Sequence, residues 1–264
     1  MKPLNLISGT QFKRLFLAAA VAASCATSAF AALPPFTFNP ASLCTTGTCS
    51  SFTADNILVS DFTTVTFTSA TNFTETGYLK ITGFQLGATQ ITPTGFNSNY
   101  SLYIPFTGSG TLISGTNLAA GTTGRFDTLS YQLIGASGNV TGTSAFNSGT
   151  VLGTGSLLGG FNSTTPSTSA PGFIPTANVD FTFTPVLSNF FTAPSPFYTL
   201  GFAAFTNTST QVAMTSNGFT ITQGGGALNF AATNVPEPAT VALLGLGLLG
   251  VAASRRKSAK NKNA

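Results

Sequence analysis

Five carboxylates carry almost all the acid–base chemistry that the body of this 264-residue chain could perform: Asp55, Asp61, Glu75, Asp127 and Asp180. The chain has no His. That removes the commonest general base, and with it the Ser-His and Cys-His arrangements that activate a nucleophile. Paired carboxylates of the glycosidase kind are what is left. Asp55 and Asp61 are close in sequence, and Arg125 and Asp127 share a strand face because side chains alternate with period two. Both pairs read as surface or loop charges, so no enzymatic activity is expected. Calcium would need several oxygens together. No Asp-x-Asp-x-Asp run occurs, and although Asp55, Asp61 or Asp180 could join backbone carbonyls, neither a metal nor a cofactor is expected.

Cys44 and Cys49 enclose Thr45-Thr46-Gly47-Thr48. In an exported chain a disulfide across this short loop is the expected state. A metal or redox pair is the alternative, but it would lack further ligands. Sugar binding would use exposed aromatics. Among Tyr78, Tyr100, Tyr103, Tyr131 and Tyr198, only Tyr103 is set against its neighbours Tyr100 and Leu102 in parity, which makes it the candidate for exposure.

The elements that must position these residues read as strands. Tyr100, Leu102, Ile104 and Phe106 alternate with small polar residues, as do Leu129, Tyr131 and Leu133, then Val179, Phe181 and Phe183, then Tyr198, Leu200, Phe202 and Ala204. Val65-Thr66-Phe67-Thr68 and Phe219 with Ile221 belong to the same class. Parity switches between Ile81 and Phe84, which predicts a bulge at Gly83. Turns are expected at Asn97-Ser98-Asn99, Gly108-Ser109-Gly110, Ser137-Gly138-Asn139 and Asn217-Gly218. Asn162 to Asn178 reads as the longest loop, and Gln223 to Gly226 as a turn before a last strand, Ala227–Ala231. The predicted architecture is all-β: one antiparallel β-sandwich or jelly-roll-like domain over 32–234.

The whole-chain charge of +4 misleads. Between Ala32 and Asn234 the cations are Lys80 and Arg125 against the five carboxylates, a net charge of −3. A nucleic-acid partner needs a basic footprint, and the body has none. Its polar surface must be Thr, Ser, Asn and Gly, which suits contact with neutral sugars. The 25 Phe are mostly core material, since Phe packs without a hydrogen-bond partner.

The missing basic residues sit at the two ends. Lys2, Lys13 and Arg14 flank a short apolar stretch, Leu15 to Ala23, ahead of the small-x-small site Ala29-Phe30-Ala31. This layout predicts a secretory signal peptide over 1–31, removed by signal peptidase after Ala31. The stretch is too short to span a bilayer. At the other end, Val235-Pro236-Glu237-Pro238 precedes an apolar run with one polar residue, Thr240, up to Ala253, then Arg255-Arg256-Lys257. The run predicts a transmembrane helix over 239–254. The basic cluster orients it with the preceding chain outside and the tail, 258–264, in the cytoplasm.

In that order of three parts, residues 235–257 resemble the PEP-CTERM sorting signal of bacterial surface proteins. The resemblance covers only this segment. It implies processing near Pro236-Glu237-Pro238 by an exosortase, a membrane cysteine transpeptidase, with transient residence in the inner membrane. It also implies a host that makes extracellular polysaccharide. The expected role is that of an exported cell-surface or extracellular-matrix protein, structural or adhesive. Exopolysaccharide binding is the alternative, and a secreted glycoside hydrolase stands third.

Overall fold

The computed structural model describes residues 33–140 and 148–231. The signal peptide with Ala29 and Ala31, the sorting motif, the apolar run and the basic cluster all lie outside these residues. Among the described residues no helix is long and apolar enough to cross a membrane.

The chain runs through β1 (Phe36–Phe38), β2 (Phe52–Ala54), β3 (Asn56–Phe67), β4 (Asn72–Leu86), β5 (Thr89–Ile91), β6 (Tyr100–Ser114) and β7 (Thr123–Ser137). It continues with β8 (Thr150–Pro166), β9 (Phe173–Thr182), β10 (Thr184–Pro185), β11 (Phe191–Ala193), β12 (Leu200–Thr206), β13 (Val212–Met214) and β14 (Gly218–Ala231). Eight long strands close on themselves in the order β3-β4-β6-β7-β8-β9-β12-β14 and back to β3, every neighbour antiparallel. The fold is therefore a barrel, and the sandwich or jelly-roll expectation is corrected.

The reason for the difference is local. Residues 162–178, read as a loop because they are rich in Ser, Thr and Pro, form most of the β8–β9 hairpin, paired from Pro166↔Phe173 to Leu157↔Phe181. The turn itself is short and is closed by the Ser167 amide donating to the Gly172 carbonyl at 2.9 Å. That hairpin joins the two halves of the sheet and leaves no long open edge. Period-two alternation looks the same in either fold, because both hide one face of each strand.

Two other expected turns are strand. Gly108-Ser109-Gly110 lies inside β6, and Gln223 to Gly226 lies inside β14 with a bulge between Thr222 and Gly224. Glycine is used there for space. A Cβ on Gly110 would run into the ring of Phe73 and the Arg125 carbonyl, so small and large inward positions interlock across the wall. The bulge expected near Gly83 is present: Leu58 pairs with Gly83 but Val59 with Ile81.

Phe fills the interior. At one end the three-stranded sheet β11-β1-β2 stacks its rings on the barrel: Phe36 on Phe230 (5.2 Å between centroids), Phe191 on Phe183 (5.2 Å), Phe52 on Phe84 (4.6 Å). The outer wall is hydroxyl-bearing. Thr64, Thr74, Thr76, Thr107, Thr128 and Ser130 are exposed, and cross-strand pairs such as Ser109–Thr128 (2.7 Å) and Ser163–Thr176 (2.8 Å) bridge neighbouring strands.

Candidate functional site

The alternation that builds the barrel sends polar residues to three places. The first is a patch on the outer wall where β7, β8, β9 and β12 run side by side. Phe161 stands opposite Arg125 on one side and Asn178 on the other; Asn178 stands opposite Ala204; Asp180 lies between Gly159 and Phe202. Phe161 is 65% exposed and Phe202 37% exposed, both unusual for Phe on a β wall. Two strand spacings and two residues separate them, roughly 12 Å from sheet dimensions. Arg125 Nε donates to Asp127 Oδ1 at 2.9 Å on the exposed surface, as their shared face predicts. The Thr111 hydroxyl, donating at 2.5 Å, and then the Arg125 guanidinium hold the Asp127 carboxyl below its usual range.

The second place is the interior. Asp61 of β3 and Glu75 of β4 point inward, offset by four residues along the wall: Asp61 pairs with Leu79, Thr63 with Gly77 and Val65 with Glu75. Both carboxylates line a cavity of about 120 Å³ walled by Phe73, Phe126, Phe173 and Phe219. Burial pushes the Asp61 carboxyl up to about 6, opposed by a hydrogen bond donated by the Thr63 hydroxyl. Burial and then the nearby Asp61 charge push Glu75 up to about 8. Glu75 keeps some accessible surface because it borders the cavity rather than packed atoms. Asn207, 9% exposed, lines the same cavity; its Nδ2 donates to the Pro175 carbonyl at 2.9 Å, and its Oδ1 has no partner among the described residues.

The expectation that Asp55 and Asp61 are surface charges is corrected, since they are 6% and 4% exposed. They do not form a pair. Asp61 faces the cavity, whereas Asp55 accepts from the Gly87 amide at 2.6 Å, and Asp180 lies on the outer wall. The carboxyls that share the interior are Asp61 and Glu75, on β3 and β4, a combination the sequence reading missed. Its signal was available: Glu75 shares the parity of Phe73, Leu79 and Ile81, all inward.

Tyr103 is a further correction. It stands on the outer wall as its parity predicts, yet it is 1% exposed. It packs with Ile134 and Ala136 of β7 and with Val140, and its hydroxyl donates to the Ser148 carbonyl. Tyr131 is interior and donates to the Thr182 carbonyl at 2.6 Å, and Tyr100 is fully buried. Tyr78 is half-buried outside, stacked on Phe62 at 4.8 Å.

The third place is the loop after β1, where Cys44 and Cys49 form a disulfide with Cα atoms 6.3 Å apart. No described group of three or more Cys, Asp or Glu residues is arranged to hold a metal ion.

No curated protein and no solved structure matches the chain. A family model described as the PEP-CTERM protein-sorting motif matches residues 234–257. The match covers Val235, Pro236, Glu237 and Pro238 and ends at the basic residues Arg255, Arg256 and Lys257. The chain carries a PEP-CTERM protein-sorting motif, and with it the implication of export, membrane-associated sorting and processing by an exosortase-type enzyme.

Proposed function

We propose that the exported protein serves at the cell surface or in the extracellular matrix as a non-catalytic adhesive module that holds neutral exopolysaccharide on its outer wall. The carrying observation is the pair of exposed rings, Phe161 and Phe202, set among Asn178, Asp180 and the Arg125–Asp127 ion pair. An aromatic face covers the apolar C–H side of a sugar ring, and amide, carboxylate and guanidinium groups beside it bond the hydroxyls. The small floor residues Gly159 and Ala204 leave both rings standing clear of the wall. With few charges elsewhere on the body, neutral polymer meets little competing electrostatic attraction.

The test is retention of the processed protein on exopolysaccharide from its host. Phe161→Ala and Phe202→Ala should each weaken retention roughly 2–10-fold, the worth of one ring contact. Thermal stability should stay the same, because both rings are exposed. A double variant retained like the wild type would sink the adhesive reading. Release of reducing sugar ends above background would overturn its non-catalytic part.

A further inference from the structure

The outer wall does not use the interior, and the interior is not a fully packed core. Burying an ionised carboxylate among phenyl rings is costly unless something compensates its charge, and Asp61, held at about 6, is ionised near neutral pH. No described cation compensates it. Lys80 is on the outward parity of β4, opposite Ser60 and Tyr103, and Arg125 is engaged outside with Asp127. Three acceptors face the cavity: Asp61, with one oxygen taken by Thr63; Glu75; and the unpartnered Oδ1 of Asn207, itself nine-tenths buried; of the other polar groups lining it, the hydroxyls of Thr122, Thr164 and Tyr131 donate to backbone carbonyls. The three acceptors come from three different strand regions. Gly224, beside the β14 bulge, pairs with Asp61, and a Cβ there would strike Asn207 Oδ1, which places the amide on the Asp61 side of the cavity.

We propose that the barrel interior is a second binding site, for a small ligand with an apolar body and a cationic ammonium head. The head donates to the Asp61 carboxylate and to Asn207 Oδ1 on the same side of the cavity, and its charge neutralises that carboxylate. The body replaces empty space against the phenyl walls. A cavity near 120 Å³ is of the size that holds a single six-membered ring or a short alkyl chain, since an apolar cavity of about 150 Å³ takes up benzene. The cavity reaches Leu112, Leu118 and Thr122, at the far end of the barrel from the β11-β1-β2 cap. It is too small for a sugar chain, and the site stands independently of the polysaccharide reading.

The test is calorimetric titration of the processed protein near neutral pH with benzylamine, and with benzyl alcohol and toluene as ligands of similar shape lacking the charge. Benzylamine should bind about tenfold or more tighter than benzyl alcohol, the difference expected of hydrogen bonds to charged groups. Asp61→Asn should bring the two within a few-fold of each other, whereas Glu75→Gln, which replaces a neutral carboxyl, should leave the ratio nearly unchanged. Phe161→Ala with Phe202→Ala should leave benzylamine affinity unchanged, and a loss there would relocate the site to the outer wall and overturn the proposal. Equal affinity for benzylamine and benzyl alcohol, or no benzylamine binding, would also overturn it. The wild-type ratio decides the matter even if the Asp61 variant fails to fold.

Discussion

A carboxyl group pressed against phenyl rings keeps its proton because burial penalises the charged form. Asp61 and Glu75 are both held above their ordinary range in this way, at about 6 and about 8, from 3.8 and 4.5. The folded protein therefore binds more protons than the unfolded chain over that interval, and folding stability falls as pH rises through it. The contribution is fully present below about 4 and lost by about 8. The other titratable group facing the cavity, Tyr131, is pushed above its ordinary value by burial and stays neutral throughout. Thermal melts from acid to mildly basic pH should show a falling midpoint, and each kilocalorie per mole lost lowers it by roughly 2–4 °C in a domain of this size. Glu75→Gln should flatten the slope and raise the midpoint at basic pH. A midpoint that rises with pH would show that these carboxylates are ionised and compensated in the folded state.

At the scale of elements, most strands were legible where large apolar residues alternate with small polar ones, but β12 faces the other way: Ala203 is buried, and Phe202, read in one apolar set with Leu200 and Ala204, stands on the outer wall. Leu102 and Ile104, Leu133, and Val179 and Phe181 all face inward as their spacing requires. What misled was glycine. Gly110 reads as a turn residue in one dimension, but in the barrel it is the low point beneath the ring of Phe73, a partner some 37 residues away in sequence. The short Cys44–Cys49 loop was legible because its closure depends on neighbours in sequence. A loop of this length restricts the unfolded chain only modestly, so reducing the disulfide should cost about 2 kcal/mol. Chemical denaturation with and without reductant measures this. A much larger loss would mean that the loop also anchors packing through Cys49, which is 7% exposed and lies against Gly95.

The whole molecule divides into a folded body and two addressed ends. The basic residues of the ends give the chain its charge of +4, while the body, with two cations and five carboxylates, is weakly acidic. Charge that serves transport is thus separate from the surface that works afterwards. Exosortase-type processing near Pro236-Glu237-Pro238 should remove the basic tail, so mass mapping of protein recovered from the host surface should find no Arg255–Ala264 peptide. Replacing Pro236, Glu237 and Pro238 with Ala should retain that peptide and keep the protein in the membrane fraction. Mature surface protein still carrying Arg255 and Lys257 would rule out cleavage at this motif.

The sequence by itself determined the all-β class, the short disulfide and the sorting motif, because each is written in neighbours: alternation along a strand, two cysteines around four residues, a Pro-Glu-Pro before an apolar run. Only the tertiary structure decided that the sheet closes into a barrel, since closure rests on β8 pairing with both β7 and β9. It also decided which carboxylates share the interior. Asp61 and Glu75 lie on adjacent strands of one wall, whereas Asp55, nearer Asp61 in the chain, turns elsewhere. Exposure followed the same rule: Tyr103 is buried with Ile134, Ala136 and Val140 while Phe161 is left bare, because burial depends on what packs over a side chain as well as on the face it occupies.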